Sequence, residues 1–223
     1  VPRIHFQQQL AALKDKLLAM AALSQQAVSS SVEAYLQRDA GLCQYVRENE
    51  TAINAAQRDV DEMAYELLAQ EQPMAIDLRF ILAVIKINGD LERVGDQSMS
   101  IAIRTQEMMA SPAVDLPVDI QSMGEHASRM VRSAVQALID ADAQLADLVV
   151  VMDDEIDQMN REARDQLMAV METKPEISLQ ALNAIIIARN LERIADHATN
   201  ISRDVIFWVR GADVRHQVST AVD

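Results

Sequence analysis

A chain of 223 residues with a formal net charge of −14 and a pI near 4.6 lacks the clustered Lys and Arg needed for non-specific binding to nucleic acid or an anionic membrane. It suits basic partners or cations instead. Half of the residues are hydrophobic, which excludes global disorder. Five Gly, five Pro and 3% aromatics, with abundant Ala, Leu, Met, Glu and Gln, favour an all-α chain with an aliphatic and Met-filled core.

The single Cys43 rules out an intramolecular disulfide and suits a reducing compartment. No stretch approaches the roughly 18 uninterrupted apolar residues of a spanning helix, so no direct membrane insertion is expected. The opening V-P-R-I-H-F carries no signal-peptide hydrophobic region, and the expectation is a cytoplasmic protein.

In chain order, apolar residues at Phe6, Leu10, Leu13, Leu17 and Met20, then Ala27, Val32 and Leu36, predict a first amphipathic helix over 4–38. Gly41 is the expected turn residue after it. A heptad-like run from Leu42 through Val46, Asn49, Ile53, Ala56, Val60, Met63 and Leu67 predicts a second helix ending near Gln72. Pro73 is suited to opening a third, which carries Leu78, Leu82, Ile85, Gly89, Glu92, Asp96 and Met99 on one stripe. Ser111 to Pro117, where two prolines cluster, is the expected boundary between halves.

The plan then repeats. A fourth helix runs from Ile120 to Asp140, a fifth spans Leu145 to Val170, and a sixth opens after Pro175 and is stopped by Gly211. Six helices of roughly 25–35 residues, each about 40–50 Å long, imply two antiparallel three-helix bundles related by internal duplication. The first repeat is expected over 1–112 and the second over 113–210, followed by a polar, frayed tail at 211–223.

The duplication carries the chemistry. Residues 85–101, I-K-I-N-G-D-L-E-R-V-G-D-Q-S-M-S-I, recur at 185–201 as I-I-I-A-R-N-L-E-R-I-A-D-H-A-T-N-I. Seven of the seventeen positions are identical, among them Glu92/Glu192 and Asp96/Asp196. Residues four apart share a helix face, with Cβ atoms about 5–6 Å apart. The preceding helix supplies a second pair in each half, since aligning Ile53 with Ile156 sets Glu50 and Asn54 against Asp153 and Asp157.

The expected site is therefore Glu50, Asn54, Glu92 and Asp96 in one half and Asp153, Asp157, Glu192 and Asp196 in the other. Asn200 offers one further oxygen to the second. A lone E-x-x-x-D on a helix is usually a solvated face. Recurrence in both halves, in line with an apolar stripe, favours cations, because carboxylates in register with a core are costly when uncompensated. Oxygen donors from two helices suit hard cations such as Fe3+, Mn2+, Mg2+ or Ca2+, and several carboxylates can bridge paired ions.

His197 offers a nitrogen beside Asp196, but its counterpart is Gln97, and a rim histidine fits equally well. Gly89 and Gly95 suggest close helix approach beside the acids. Phe207-Trp208 reads as packing over the bundle end. No GxxxxGK[ST], GxGxxG or CxxC motif occurs.

The segments P-M-A-I-D-L-R-F-I-L-A-V-I-K-I-N-G-D-L-E-R-V-G-D (73–96) and N-L-E-R-I-A-D-H-A-T-N-I (190–201) resemble the repeated signature of the PhoU family, the phosphate-specific transport system accessory proteins. F-Q-Q-Q-L-A-A-L-K-D-K-L-L-A-M (6–20) is similar to that family's first helix. The resemblance covers roughly 5–208 and implies two three-helix bundles holding multinuclear iron or zinc clusters on E(D)-x-x-x-D pairs. Those pairs match Glu92/Asp96, Glu192/Asp196, Asp153/Asp157 and Glu50/Asn54, where Asn leaves the first site with one charge fewer.

The resemblance further implies a cytoplasmic negative regulator of phosphate uptake and of the phosphate-starvation response. It would be a homodimer linking the ATPase subunit of an ABC phosphate transporter to a sensor histidine kinase. The alternative reading of the residues is a carboxylate-bridged metalloenzyme on a helical bundle, which would need an open metal position beside a substrate pocket.

Overall fold

The structure, a computed structural model, describes residues 2–211. Of the tail expected at 211–223, residues 212–223 lie outside the described residues. Six α-helices make up the fold: α1 (Pro2–Gln37), α2 (Ala40–Glu71), α3 (Ala75–Met109), α4 (Ile120–Asp140), α5 (Ala143–Thr173) and α6 (Ser178–Arg210). No strand occurs among the described residues.

Local chemistry sets the helix ends, and at two of them it differs from the expected pattern. The turn between α1 and α2 does not use Gly41. Arg38 takes the left-handed conformation at φ 52°, and Asp39 caps α2 by accepting from the backbone N–H groups of Gly41 and Leu42 at 2.7 and 3.1 Å. An Asp cap satisfies amides that the helix geometry leaves unpaired, and this places Gly41 inside the helix. Pro73 stands two residues ahead of α3, whereas Pro175 opens a short 3-10 turn, Pro175–Ile177, that runs into α6. Gly211 ends α6 with φ 72° and donates its N–H to the Phe207 carbonyl at 2.9 Å.

Helices α1, α2 and α3 pack on one another, and so do α4, α5 and α6. The equivalent helices of the two halves then meet, α3 against α6 and α1 against α4. The result is two layers: a row of four in the order α2, α3, α6, α5, lying on the pair α1 and α4. Both equivalent pairs run antiparallel. Along α3 and α6, Arg79 reaches the Trp208 carbonyl, Lys86 reaches Asp204 and Asn190 reaches Ser100. On the other layer, Lys14 reaches the Ile139 carbonyl, and Gly124 lies against Val32. Antiparallel packing of duplicated helices on each other gives the molecule an approximate twofold axis through the middle of both layers.

The largest apolar cluster draws on all six helices, including Leu13, Ile53, Ile87, Met130, Ile156 and Ile194, each at most 1% exposed. Burying side chains of this size contributes about 1.5–3 kcal/mol apiece. The halves thus share one core. Trp208 tilts against Phe80 with ring centroids 4.9 Å apart, closing the end of that core. Buried His126 ties α4 to α5 by donating Nε2–H to the Met152 carbonyl at 3.0 Å, while its Nδ1 accepts from Arg129.

Candidate metal centre

The stripe that carries the acids is not the centre of the core. Leu82 and Leu182, which precede them on it, are 37% and 44% exposed. The buried face of α3 runs one residue away, through Ile81, Val84, Ile87, Leu91 and Val94, all fully buried. The two stripes are adjacent and both rich in apolar residues, so a period of 3.6 fits either phase. The carboxylates therefore flank the core, with Glu50, Glu92, Asp96, Asp153, Asp157 and Glu192 half-buried and Asp196 exposed.

In the first half, α2 contributes Glu50 and Asn54, and α3 contributes Glu92 and Asp96. Ile53 packs so closely on α3 that a Cβ added to Gly95 would lie 2.8 Å from its Cδ1. This close approach sets the separation of the helices beside the acids. Gly89 does not serve the same purpose, as a Cβ there would meet nothing within 4 Å.

Asn54 donates its side-chain N–H to Glu50 Oε1 at 2.5 Å. Burial pushes the Glu92 carboxyl above its ordinary range, and the charges of Asp96 and Glu50 push it further, against Arg93 and His197. Asp96 is raised by burial and then by Glu50.

In the second half, α5 contributes Asp153 and Asp157, and α6 contributes Glu192 and Asp196. Burial raises Asp153, with Asp196 and Asp157 adding to it. The Thr199 hydroxyl is near enough to ease that carboxylate but falls outside hydrogen-bond geometry. Asp153 Oδ1 and Thr199 Oγ1 are both buried without a partner. Glu192 is raised by burial, Asp196 and Asp157, and Asp196 by burial and Asp157.

Asp157 also pairs with Arg161 at 3.7 Å along its own helix. Asn200 Oδ1 accepts weakly from Arg203 at 3.4 Å, and Ser100, its counterpart, faces α6 through Asn190.

Sequence reasoning missed the seam between the clusters. His197 on α6 holds Asp90 on α3, with Nδ1 2.8 Å from Oδ1. The imidazole also acts electrostatically on Glu92, Asp96 and Asp196. It therefore stands between the two acid groups. Asp90 lies two residues before Glu92, outside the E-x-x-x-D frame, and its counterpart is Asn190, so the repeat gave no signal for it.

The donor set fits a hard cation in chemistry: oxygen ligands, charges that raise one another's pKa, and one buried carboxylate oxygen without a partner. Among the described residues, no three His, Cys, Asp or Glu side chains converge on a common point that could hold an ion. Gathering three around one ion requires side-chain rotation. Glu50, Glu92 and Asp96, and Asp153, Asp157, Glu192 and Asp196, are the residues that would hold it.

These features define a duplicated all-α bundle with an acid-lined four-helix layer, each half presenting four-spaced oxygen donors on facing helices. A model of the PhoU domain matches residues 17–105 and 120–205, once in each half. The chain belongs to the PhoU family.

It is 39% identical over 212 residues to a phosphate-specific transport system accessory protein PhoU homolog of Pseudomonas putida, covering 95% of this chain and 83% of that one. Against the homolog of Pseudomonas aeruginosa it is 37% identical, covering 95% of this chain and 88% of the relative. The crystal structure of PhoU from Pseudomonas aeruginosa superposes with a TM-score of 0.90 at 36% identity, over 93% of this chain and all of that one. The regulatory protein PhoU of the phosphate transport system from Streptococcus pneumoniae gives 0.86 at 24% identity, over 94% of this chain and 99% of that one, a likeness of fold. These relatives are named as accessory proteins of a transport system and not as enzymes. No helix among the described residues is long and apolar enough to cross a membrane.

Proposed function

We propose that the chain is a non-enzymatic accessory regulator of a phosphate-specific transport system, restraining phosphate uptake and the starvation response. Membership of the PhoU family, with 39% identity to an accessory protein over nearly the whole chain, is the observation that carries this reading. Its partners are the ATPase subunit of the phosphate transporter and a sensor histidine kinase, which places it in the cytoplasm, as a homodimer.

The acid groups bind metal ions, with iron or zinc preferred and Mn2+, Mg2+ or Ca2+ as alternatives. A bound cation would neutralise the clustered carboxylates and offer open coordination positions to an oxyanion. Buried, unpartnered Asp153 Oδ1 supports the second half as the stronger site, and Asn54 makes the first weaker. Arg93, Arg193 and Arg203 stay beside the acids and limit their mutual repulsion. His197 and Asp90 keep α3 and α6, and so the two groups, in register.

Two measurements test the reading separately. Purified ATPase subunit and kinase are each assayed for binding at micromolar protein, and failure of both to bind removes the regulatory mechanism. Elemental analysis and anomalous scattering address the ions. Protein without iron, zinc, manganese, magnesium or calcium, whose melting temperature does not move on adding them, defeats the metal assignment and leaves the transport assignment standing.

A further inference from the structure

Charge divides the molecule by layer. Helix α2 holds seven acids against two bases and α5 eight against two, whereas α1 holds two against three and α4 two against two. The four-helix layer is therefore strongly acidic and the α1–α4 layer nearly neutral. On the acidic layer, apolar side chains stand exposed at positions equivalent under the duplication. Tyr65 (56% exposed) corresponds to Met168 (50%), with the same 103-residue offset that relates Glu50 to Asp153. Leu82 corresponds to Leu182 with the 100-residue offset of Glu92 and Glu192.

Each of the four presents between 37% and 56% of its surface to solvent. Neighbouring surface positions of the same helices have diverged between halves, as Gly89 and Arg189, Lys86 and Ile186, and Asp61 and Arg164 illustrate. Tyr65 lies fifteen residues from Glu50 on α2, Met168 eleven from Asp157 on α5, and Leu82 and Leu182 each ten from the Glu of their helix, so the apolar pairs lie roughly 15–22 Å along the helices from the acids. The approximate twofold axis carries one combination of acids and apolar pair onto the other.

We propose that this face is a docking surface for a twofold-symmetric protein dimer, each protomer presenting an apolar side chain flanked by Lys or Arg. The apolar pairs anchor, the acids steer and select, and one chain spans both protomers because its halves repeat the same combination. The proposal rests on the transporter-accessory reading and gives that reading's partner, the ATPase subunit, its contact surface. The α1–α4 layer, which lacks the charge, is left out of the contact.

The test uses the full chain and the purified ATPase subunit of the cognate transporter in its dimeric form. Light scattering and native mass spectrometry should give one ATPase dimer on each engaged four-helix face, with affinity falling as salt is raised. The double variants Tyr65→Ser/Leu82→Ser and Met168→Ser/Leu182→Ser should each weaken binding about tenfold or more. Leu36→Ser, at an exposed position on α1, should stay within about twofold of wild type. Leu82 and Leu182 are 37% and 44% exposed, so the double variants should melt a little below wild type while keeping its circular dichroism and a cooperative transition, which separates lost contact from lost fold.

Binding within twofold of wild type in both double variants overturns the proposal while the accessory reading stands. If wild-type protein itself fails to bind the ATPase, the proposal falls together with the reading on which it rests.

Discussion

Replacing Asp153 by Asn should change stability in opposite directions without and with metal. Asp153 Oδ1 is buried without a hydrogen-bond partner, and burial plus the charges of Asp196 and Asp157 hold its carboxyl above the ordinary range. An unsatisfied buried polar group costs about 1–3 kcal/mol. Asn keeps the shape, removes the charge and can donate to the neighbouring carboxylates, so chelator-treated Asp153→Asn should gain about 1 kcal/mol. In a chain of this size that is about 2–4 °C of melting temperature.

A cation at about 100 times its dissociation constant stabilises wild type by about 2.7 kcal/mol, or roughly 5–10 °C. Asp153→Asn should lose most of that increment in its own half. Scanning calorimetry with and without added iron, zinc or manganese reads both effects. A chelated variant that melts below wild type, or an undiminished rise with metal, would refute the reasoning.

The pH dependence follows with a definite sign. Glu92, Asp96, Asp153, Glu192 and Asp196 all have folded pKa values above their ordinary ones. The folded state therefore takes up protons first as pH falls from neutral through those raised values, and metal-free protein should become more stable over that window. Asp119, held below its usual range by Ser122, acts in the opposite direction, and its contribution is lost at lower pH.

Restoring the missing acid with Asn54→Asp should lower the melting temperature of chelated protein by about 1–3 °C, through lost donation to Glu50 and added repulsion. The same change should raise metal stoichiometry in the first half, as read by elemental analysis. Gly89→Ala should stabilise by about 0.5–1 kcal/mol in denaturant melts, because the added methyl meets nothing and the helix gains propensity. Gly124→Ala should instead cost about 1–3 kcal/mol, since its Cβ would lie 2.7 Å from both methyls of Val32, a side chain with little χ1 freedom in a helix. Asp39→Ala removes the α2 cap and should cost about 1 kcal/mol.

The helix count, the duplication and the acid pairs were legible because each rests on a local pattern: a 3.6 period, a repeated string, a four-residue spacing. The phase of the stripe was not. Leu82, Ile85 and Gly89 looked like core because a neighbouring stripe, Ile81 to Val94, is just as apolar, and only tertiary packing decides which faces inward. The Asp90–His197 pair was hidden for a related reason: it joins residues 107 apart in sequence and has no counterpart in the repeat. Gly41 was misplaced as a turn because Asp39 outcompeted it by capping. The four-helix row was illegible too, since the pairing of α3 with α6 depends on how the halves meet.

That pairing turns a common sequence pattern into a single device. Had the halves been joined through their outer helices, the two acid groups would have faced separate solvent. With α3 against α6, they share one layer, and one side chain between them acts on both. His197 occupies that position and acts electrostatically on Glu92, Asp96 and Asp196. The Asn at 54 unbalances the pair from the start. The asymmetry between the halves is then a graded difference in charge within a symmetric frame, so the second half should fill first in a metal titration.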